Sequence, residues 1–188
     1  MVWEMSGLDG DKTEVGRREE EPSSGASWAR PSDGMWKINV DAGVKEGMGV
    51  GLGAVCRDGD GRVVWVVSKS SGICCVKSAE AEAILLGLKE AQSVGMRSII
   101  IESDCLNVVD DLKGRKKGRG DIFLIYDEIF SLVPFFDSVI FIYTRRVCNK
   151  LAHLVAHATP WTIGRRFWTD RLPQPFVIAA EQDLINIS

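Results

Sequence analysis

No stretch of the 188 residues approaches the roughly 18 unbroken apolar residues of a membrane span. Residues 1–21 are acidic and lack the basic-then-apolar pattern of a signal peptide, so an intracellular protein is expected, in nucleus or cytoplasm, with no membrane partner. The cysteines, Cys56, Cys74, Cys75, Cys105 and Cys148, are odd in number and contain no C-x-x-C pair. That excludes a disulfide framework or zinc-ribbon site and leaves reduced thiols. The H-E-x-x-H motif is missing as well. His153 and His157 have the i, i+4 spacing of a zinc pair, but the glutamate is absent and no nearby Cys or acid completes a four-ligand set. His157 therefore reads as a partly exposed helix residue. Of six tryptophans only Trp36 and Trp65 fall in expected strands, so no aromatic stacking platform is evident.

What is present is an ordinary globular composition, 45% hydrophobic and 26% charged, with room for one domain and a tail. The net charge of −3 is unevenly spread. Residues 1–34 hold eight acids against four bases, a charge of −4, which leaves +1 on the remainder. If bound cations neutralise three of the remaining acids, the working domain is cationic, and an anionic partner is not excluded.

Residues 1–34 lack apolar periodicity and are rich in Gly, Ser, Glu and Arg, the pattern of a disordered leader, so order is expected from Met35. Trp36, Ile38 and Val40 alternate with Lys37, Asn39 and Asp41, which predicts a strand with one buried face. Strands at 50–58 and 62–70 flank the hairpin signal Gly59-Asp60-Gly61. Ala81, Ile84, Leu85, Leu88, Ala91 and Gln92 make an apolar stripe that predicts a helix over 77–95, with Ser78 as N-cap and Gly95 as stop. A central strand over 97–103, short helix over 104–112, basic loop, helix over 121–132, strand over 138–144 and helix over 149–158 follow. A last helix is expected near 175–184. The order β-β-β-α-β-α-α-β-α defines an α/β (α+β) domain over 35–160, with 161–188 as a C-terminal extension.

Three acids stand where these elements end. Asp41 closes the first strand, and Asp104 follows the strand over 97–103 at its carboxyl end, where α/β sheets favour ligand sites. Glu80 lies in the first turn of the long helix, on the shoulder of the apolar stripe that leans to the sheet. Glu82, roughly 200° further round, lies on the other shoulder. Singly, each acid is explained by a turn or by the helix dipole. Together, converging carboxylates repel unless cations bind between them, and hard oxygen ligands suit Mg²⁺ or Mn²⁺.

The runs W-K-I-N-V-D-A-G, G-x-G-x-G-A-V-x-R-D-x-x-G-x-V-V, A-E-A-E-A-I-L-L-G-L, I-E-S-D-C and R-R-x-x-N-K-L-A-H-L-V-A occur in one order between about Trp28 and Asp183. This ensemble resembles the ribonuclease H-like, reverse-transcriptase-like domains widespread in plant genomes, many of them left by non-LTR retrotransposons. The resemblance implies a five-stranded mixed sheet flanked by helices. It also implies a metal-dependent endonuclease that cuts the RNA strand of RNA–DNA hybrids with two Mg²⁺ (or Mn²⁺) ions, and a monomer is expected. By the same resemblance, Asp41, Glu80 and Asp104 are metal ligands. A fourth carboxylate is implied where this chain has His153, in Asn149-Lys150-Leu151-Ala152-His153. His153 is then either a substitute ligand with a catalytic role or the mark of a lapsed enzyme that keeps the fold as a nucleic-acid-binding module. Polymerase motifs are absent from this chain.

Lys113, Arg115, Lys116, Lys117 and Arg119 put five bases in seven residues, either a solvated loop or a phosphate-contacting one. Arg145, Arg146 and Lys150 extend such a surface. The glycines of 43–53 serve a hairpin or let a hybrid backbone come close. Asn39 and Ser103 are placed to hydrogen-bond the carboxylates.

Overall fold

The computed structural model describes residues 27–45, 49–72, 75–158 and 164–185. Its strands are β1 (Trp36–Lys45), β2 (Gly49–Arg57), β3 (Val63–Ser71), β4 (Ser98–Ser103), β5 (Ser138–Tyr143) and β6 (Arg165–Trp168). The helices are α1 (Val76–Ser93), α2 (Leu106–Lys113), α3 (Asp121–Leu132), α4 (Lys150–Ala158) and α5 (Gln174–Ile185). The strands form one mixed sheet in the order β5-β4-β1-β2-β3-β6. β1, β2, β3 and β6 pair antiparallel, whereas β4 pairs parallel to both β1 and β5. None of the described helices is long and apolar enough to cross a membrane.

Period-two alternation divides the sheet into two faces. Ile38 and Val40 of β1, Leu52 and Ala54 of β2, and Ile99 and Ile101 of β4 join the larger core with Ile84 and Leu88 of α1 and Tyr126 and Ile129 of α3. Each such fully buried aliphatic side chain contributes about 1.5–3 kcal/mol. Gly87 lets α1 lie close on β1, since a Cβ there would stand 3.1 Å from Val40 Cγ1. On the opposite face Val55 and Val66 pack against Leu151, Ala152 and Val155 of α4 and Phe176 of α5.

Of the glycines read as hairpin or ligand-approach positions, Gly43 and Gly53 are packing positions, whereas Gly49, at φ 106° where β2 begins, fits the hairpin reading. A Cβ on Gly53 would fall 2.7 Å from Ala152 O and Ala156 N, so α4 rests directly on β2. Helix α1 ends as read, with Gly95 at φ 76° and bonds from Gly95 N–H to Gln92 O and from Met96 N–H to Ala91 O. Its start differs: Cys75 is the N-cap, without a side-chain cap bond, and Ser78 is buried inside the first turn.

Three further readings are corrected. The sheet has six strands, because Arg165–Trp168 pairs with β3. Four residues led by two arginines give no alternation to read. Trp168 also lies in a strand, and Trp65 stacks on Phe167 at 6.2 Å. Burial begins before Met35: Trp28 is 1% exposed, and its Nε1–H donates to Asn39 Oδ1 at 2.8 Å. The rest of the expected leader, residues 1–26, lies outside the described residues, as does Cys74.

Candidate metal centre

The parallel register of β1 and β4 sets Val40 opposite Ser103, the last residue of β4. Asp41 and Asp104 are the next residue on each. β4 leaves the sheet there, and Ser103 Oγ accepts the Cys105 N–H at 3.1 Å as the chain turns into α2. β1 does not end at Asp41, as its alternation suggested, but runs on to Lys45 paired with β2 alone. Asp41 therefore sits mid-strand at the mouth opened by the departure of β4. Glu80 reaches the same mouth from the second turn of α1, one turn further in than the expected helix start placed it.

One carboxylate oxygen from each of Asp41, Glu80 and Asp104 lies within 4.8 Å of the others. Asp41 is wholly buried and Glu80 nearly so. Asp41 Oδ1 and Glu80 Oε2 are buried without a hydrogen-bond partner. Burial, and then the charge of Asp104, push the Asp41 carboxyl up to about 8, against the opposing pull of Arg146. Burial, then Asp41 and Asp104, push Glu80 up to about 9. Orphaned buried oxygens with raised pKa values are the electrostatic form of a site that gains from a cation. An all-oxygen donor set suits Mg²⁺ or Mn²⁺. Glu82 points elsewhere, bonding Ser71 and, at 3.3 Å, Lys69.

The N-x-x-A-H run has a clear local logic. Asn149 Nδ2 donates to Val40 O at 2.9 Å and pins the start of α4 beside Asp41. Ala152 is the surface that fits over Gly53. His153 then faces the site, its Nδ1 2.8 Å from Asp41 Oδ2. His157, one turn on, lies with its ring centroid 4.1 Å from that of His153. Burial, followed by Arg146, lowers the His153 pKa; burial, His153 and Arg146 lower that of His157. No acid near the two histidines in sequence completes a set with them. Asp41, 112 residues upstream of His153, does so in space.

Arg146 was placed only on a basic surface. Its guanidinium instead enters the cluster, with Nε 2.9 Å from Asp104 Oδ2, Nη1 3.1 Å from His153 Nδ1 and Nη2 3.8 Å from Asp41 Oδ1. Burial opposes its charge, but Asp104 and Asp41 outweigh that and raise its pKa.

Asn39 and Ser103 do not bond the carboxylates. Asn39 donates to Glu102 at 2.8 Å while accepting from Trp28, and Ser103 serves the turn into α2. The basic loop lies at the far end of α2, whose eight residues span roughly 12 Å. There Lys116 pairs with Asp111 at 2.9 Å and Arg115 lies 5.8 Å from the Phe130 ring centre. Lys113, Lys117 and Arg119 are exposed.

A sheet joining an antiparallel β1–β2–β3 run to parallel β4 and β5, with three carboxylates at the β1–β4 mouth, defines a ribonuclease H-like fold. The chain belongs to the Reverse transcriptase-like family, which matches residues 39–159. RNase H1 from the halophilic archaeon Halobacterium salinarum is 23% identical at a TM-score of 0.61, over 66% of this chain and 96% of that one. The N-terminal RNase H domain of a Mycobacterium tuberculosis protein, solved fused to maltose binding protein, is 24% identical at 0.61, over 67% and 93%. LC11-RNase H1, solved in complex with an RNA/DNA hybrid, is 20% identical at 0.60, over 66% and 95%. No curated protein matches the chain.

Proposed function

We propose that the chain is a metal-dependent endonuclease that cuts the RNA strand of RNA–DNA hybrids, leaving 5′-phosphate and 3′-hydroxyl ends. The observation that carries this is the convergence of Asp41, Glu80 and Asp104 with buried oxygens that lack a partner. Family membership and the hybrid seen on LC11-RNase H1 support the substrate. Asp41, Glu80 and Asp104, together with His153 beside Asp41, would hold the two divalent ions, Mg²⁺ or Mn²⁺. Such ions, when bound, supply Lewis acidity to the phosphoryl group and lower the pKa of the attacking water. The chain's own part is positional. The β1–β4 register fixes Asp41 against Asp104, and α1 holds Glu80 in a dry wall that strengthens each charge interaction. Arg146 sets a fixed cation at the exposed rim, where a phosphate would arrive. His153, hydrogen-bonded to Asp41, can carry a proton at Nδ1.

One observation favours a second reading, a binding module without catalysis. His153 and Arg146 already engage Asp41 and Asp104, so the cluster is partly neutralised from within. A labelled hybrid incubated with the protein in Mg²⁺ and then Mn²⁺ separates the two. Cleavage that Asp41→Asn reduces at least a hundredfold supports the enzyme. No cleavage in either metal, with Asp41→Asn binding hybrid as well as wild type, leaves the binding module. We further propose a plant retroelement origin, an intracellular setting and a monomeric state, none of which the chemistry needs.

A further inference from the structure

The carboxylate cluster is not the whole of the cation-binding geometry. Asp41, His153 and His157 also bring one donor atom each within 4.8 Å of one another. Four separate features build this second set. His153 and His157 stand i, i+4 on α4 and so share a face. Asn149 and the Gly53 contact hold that helix to β1 and β2. Gly43, two residues beyond Asp41 on the same face of β1, leaves the room that His157 fills, since a Cβ there would lie 3.0 Å from its Cδ2 and Nε2. Asp41 Oδ1 is buried and lacks a hydrogen-bond partner, which leaves Asp41 able to serve two cations, one on each side.

We propose that Asp41, His153 and His157 form a nitrogen-rich cation site, sharing Asp41 with the carboxylate site, that takes first-row transition ions such as Mn²⁺ or Zn²⁺ in preference to Mg²⁺. Imidazole suits these ions, whereas Mg²⁺ demands oxygen donors and gives up water reluctantly. Three protein ligands leave a fourth position open. Arg146 is the competitor: its Nη1 lies 3.1 Å from the same His153 Nδ1, and an incoming ion displaces it. Its side chain is more than half exposed, so it has solvent to swing into. The inference rests on the reading of Asp41 as a metal ligand, but not on hybrid cleavage.

The test uses the full chain stripped of metal. Mn²⁺ is titrated by calorimetry and followed by pulsed electron paramagnetic resonance, in wild type, His157→Gln, His157→Ala and His153→Ala. Mg²⁺ is titrated in parallel, and His157, exposed in the last turn of α4, can be exchanged without opening the core. Expected are two Mn²⁺ per chain and ¹⁴N coupling from imidazole. Loss of His157 should weaken the second Mn²⁺ at least about tenfold while Mg²⁺ affinity stays within twofold. A single Mn²⁺ without ¹⁴N coupling, or Mn²⁺ affinity unchanged by both His157 variants, overturns the site. Two coupled Mn²⁺ ions in a protein that cleaves no hybrid support the site and overturn the nuclease reading alone. Intact Mg²⁺-supported cleavage with no His157 effect on Mn²⁺ overturns the site alone.

Discussion

Two charged regions lie on the same face of β1, only two to four residues apart, and they are built in opposite ways. At Lys37 and Asn39 the polar groups are matched. Lys37 pairs with Glu102 at 2.6 Å, and Asn39 links Trp28 to Glu102. Close by, Arg57 pairs with Asp183 at 2.7 Å and stacks 4.3 Å from the Trp28 ring centre. At Asp41 three carboxylates meet a single guanidinium, that of Arg146, and two oxygens have no hydrogen-bond partner. Burial is costly in both places. The first region offsets that cost inside the chain and ties the segments at Trp28 and α5 to the sheet. The second does so only in part, through Arg146 and His153, and the proposed cation would offset the rest. Burial of like charges, rather than burial of unpartnered polar atoms, marks the site, since Arg57 too keeps Nε and Nη1 buried without a hydrogen-bond partner yet is neutralised by Asp183.

The largest effect that would sharpen this contrast is on stability. Asp183→Ala strands the buried Arg57 and should cost about 3–5 kcal/mol in urea denaturation. Asp41→Asn, measured without metal at pH 8, should be neutral or stabilising, because it removes a charge whose ionisation is opposed. Equal losses in the two variants would erase the distinction.

Next comes Gly53→Ala, where a methyl meets the α4 backbone at 2.7 Å. It should cost about 1–3 kcal/mol and, by shifting the helix that carries His153, weaken Mn²⁺ more than Mg²⁺. Calorimetry with both ions checks this.

A smaller effect is in pH. Asp41 and Glu80 have folded-state pKa values of about 8 and 9, raised above their ordinary values. The folded protein thus binds more protons than the unfolded chain between about pH 4 and 9. Their contribution is fully present below pH 4 and is lost as pH rises through 8 to 9. The melting temperature of metal-free protein should fall by several degrees between pH 5 and 9, and fall less in Asp41→Asn. An identical slope in both would remove Asp41 as the cause.

The smallest effect is at the basic loop. With Lys116 held by Asp111, changing Lys116 and Lys117 to Ala should lower the salt slope of hybrid binding by about one unit. An unchanged slope takes the loop out of the interface.

Much of this was legible in the chain because it is local. The alternation around Ile38 and Val40 and the stripe from Ala81 to Ala91 reported which faces are buried, and helix phase separated Glu80 from Glu82. What escaped is long-range. Alternation measures packing, not pairing, so it stopped at Asp41 although β2 carries β1 on to Lys45. Trp28 and Asp183 are single residues in polar stretches, and their burial depends on Asn39 and Arg57 far along the chain. Arg146 looked like one base among several until the fold set it against Asp104. His157 lacked an acid in sequence but not in space.

The most direct measurement is the melting temperature of metal-free protein at pH 8, with and without saturating Mg²⁺ or Mn²⁺, in wild type and Asp41→Asn. A cation held at about a hundred times its dissociation constant adds about 2.7 kcal/mol to the folded state. For a chain of this size that is roughly 5–10 °C. The cation site predicts that gain in wild type and its loss in Asp41→Asn. A wild-type melting temperature indifferent to both ions, or an equal rise in the variant, would contradict it.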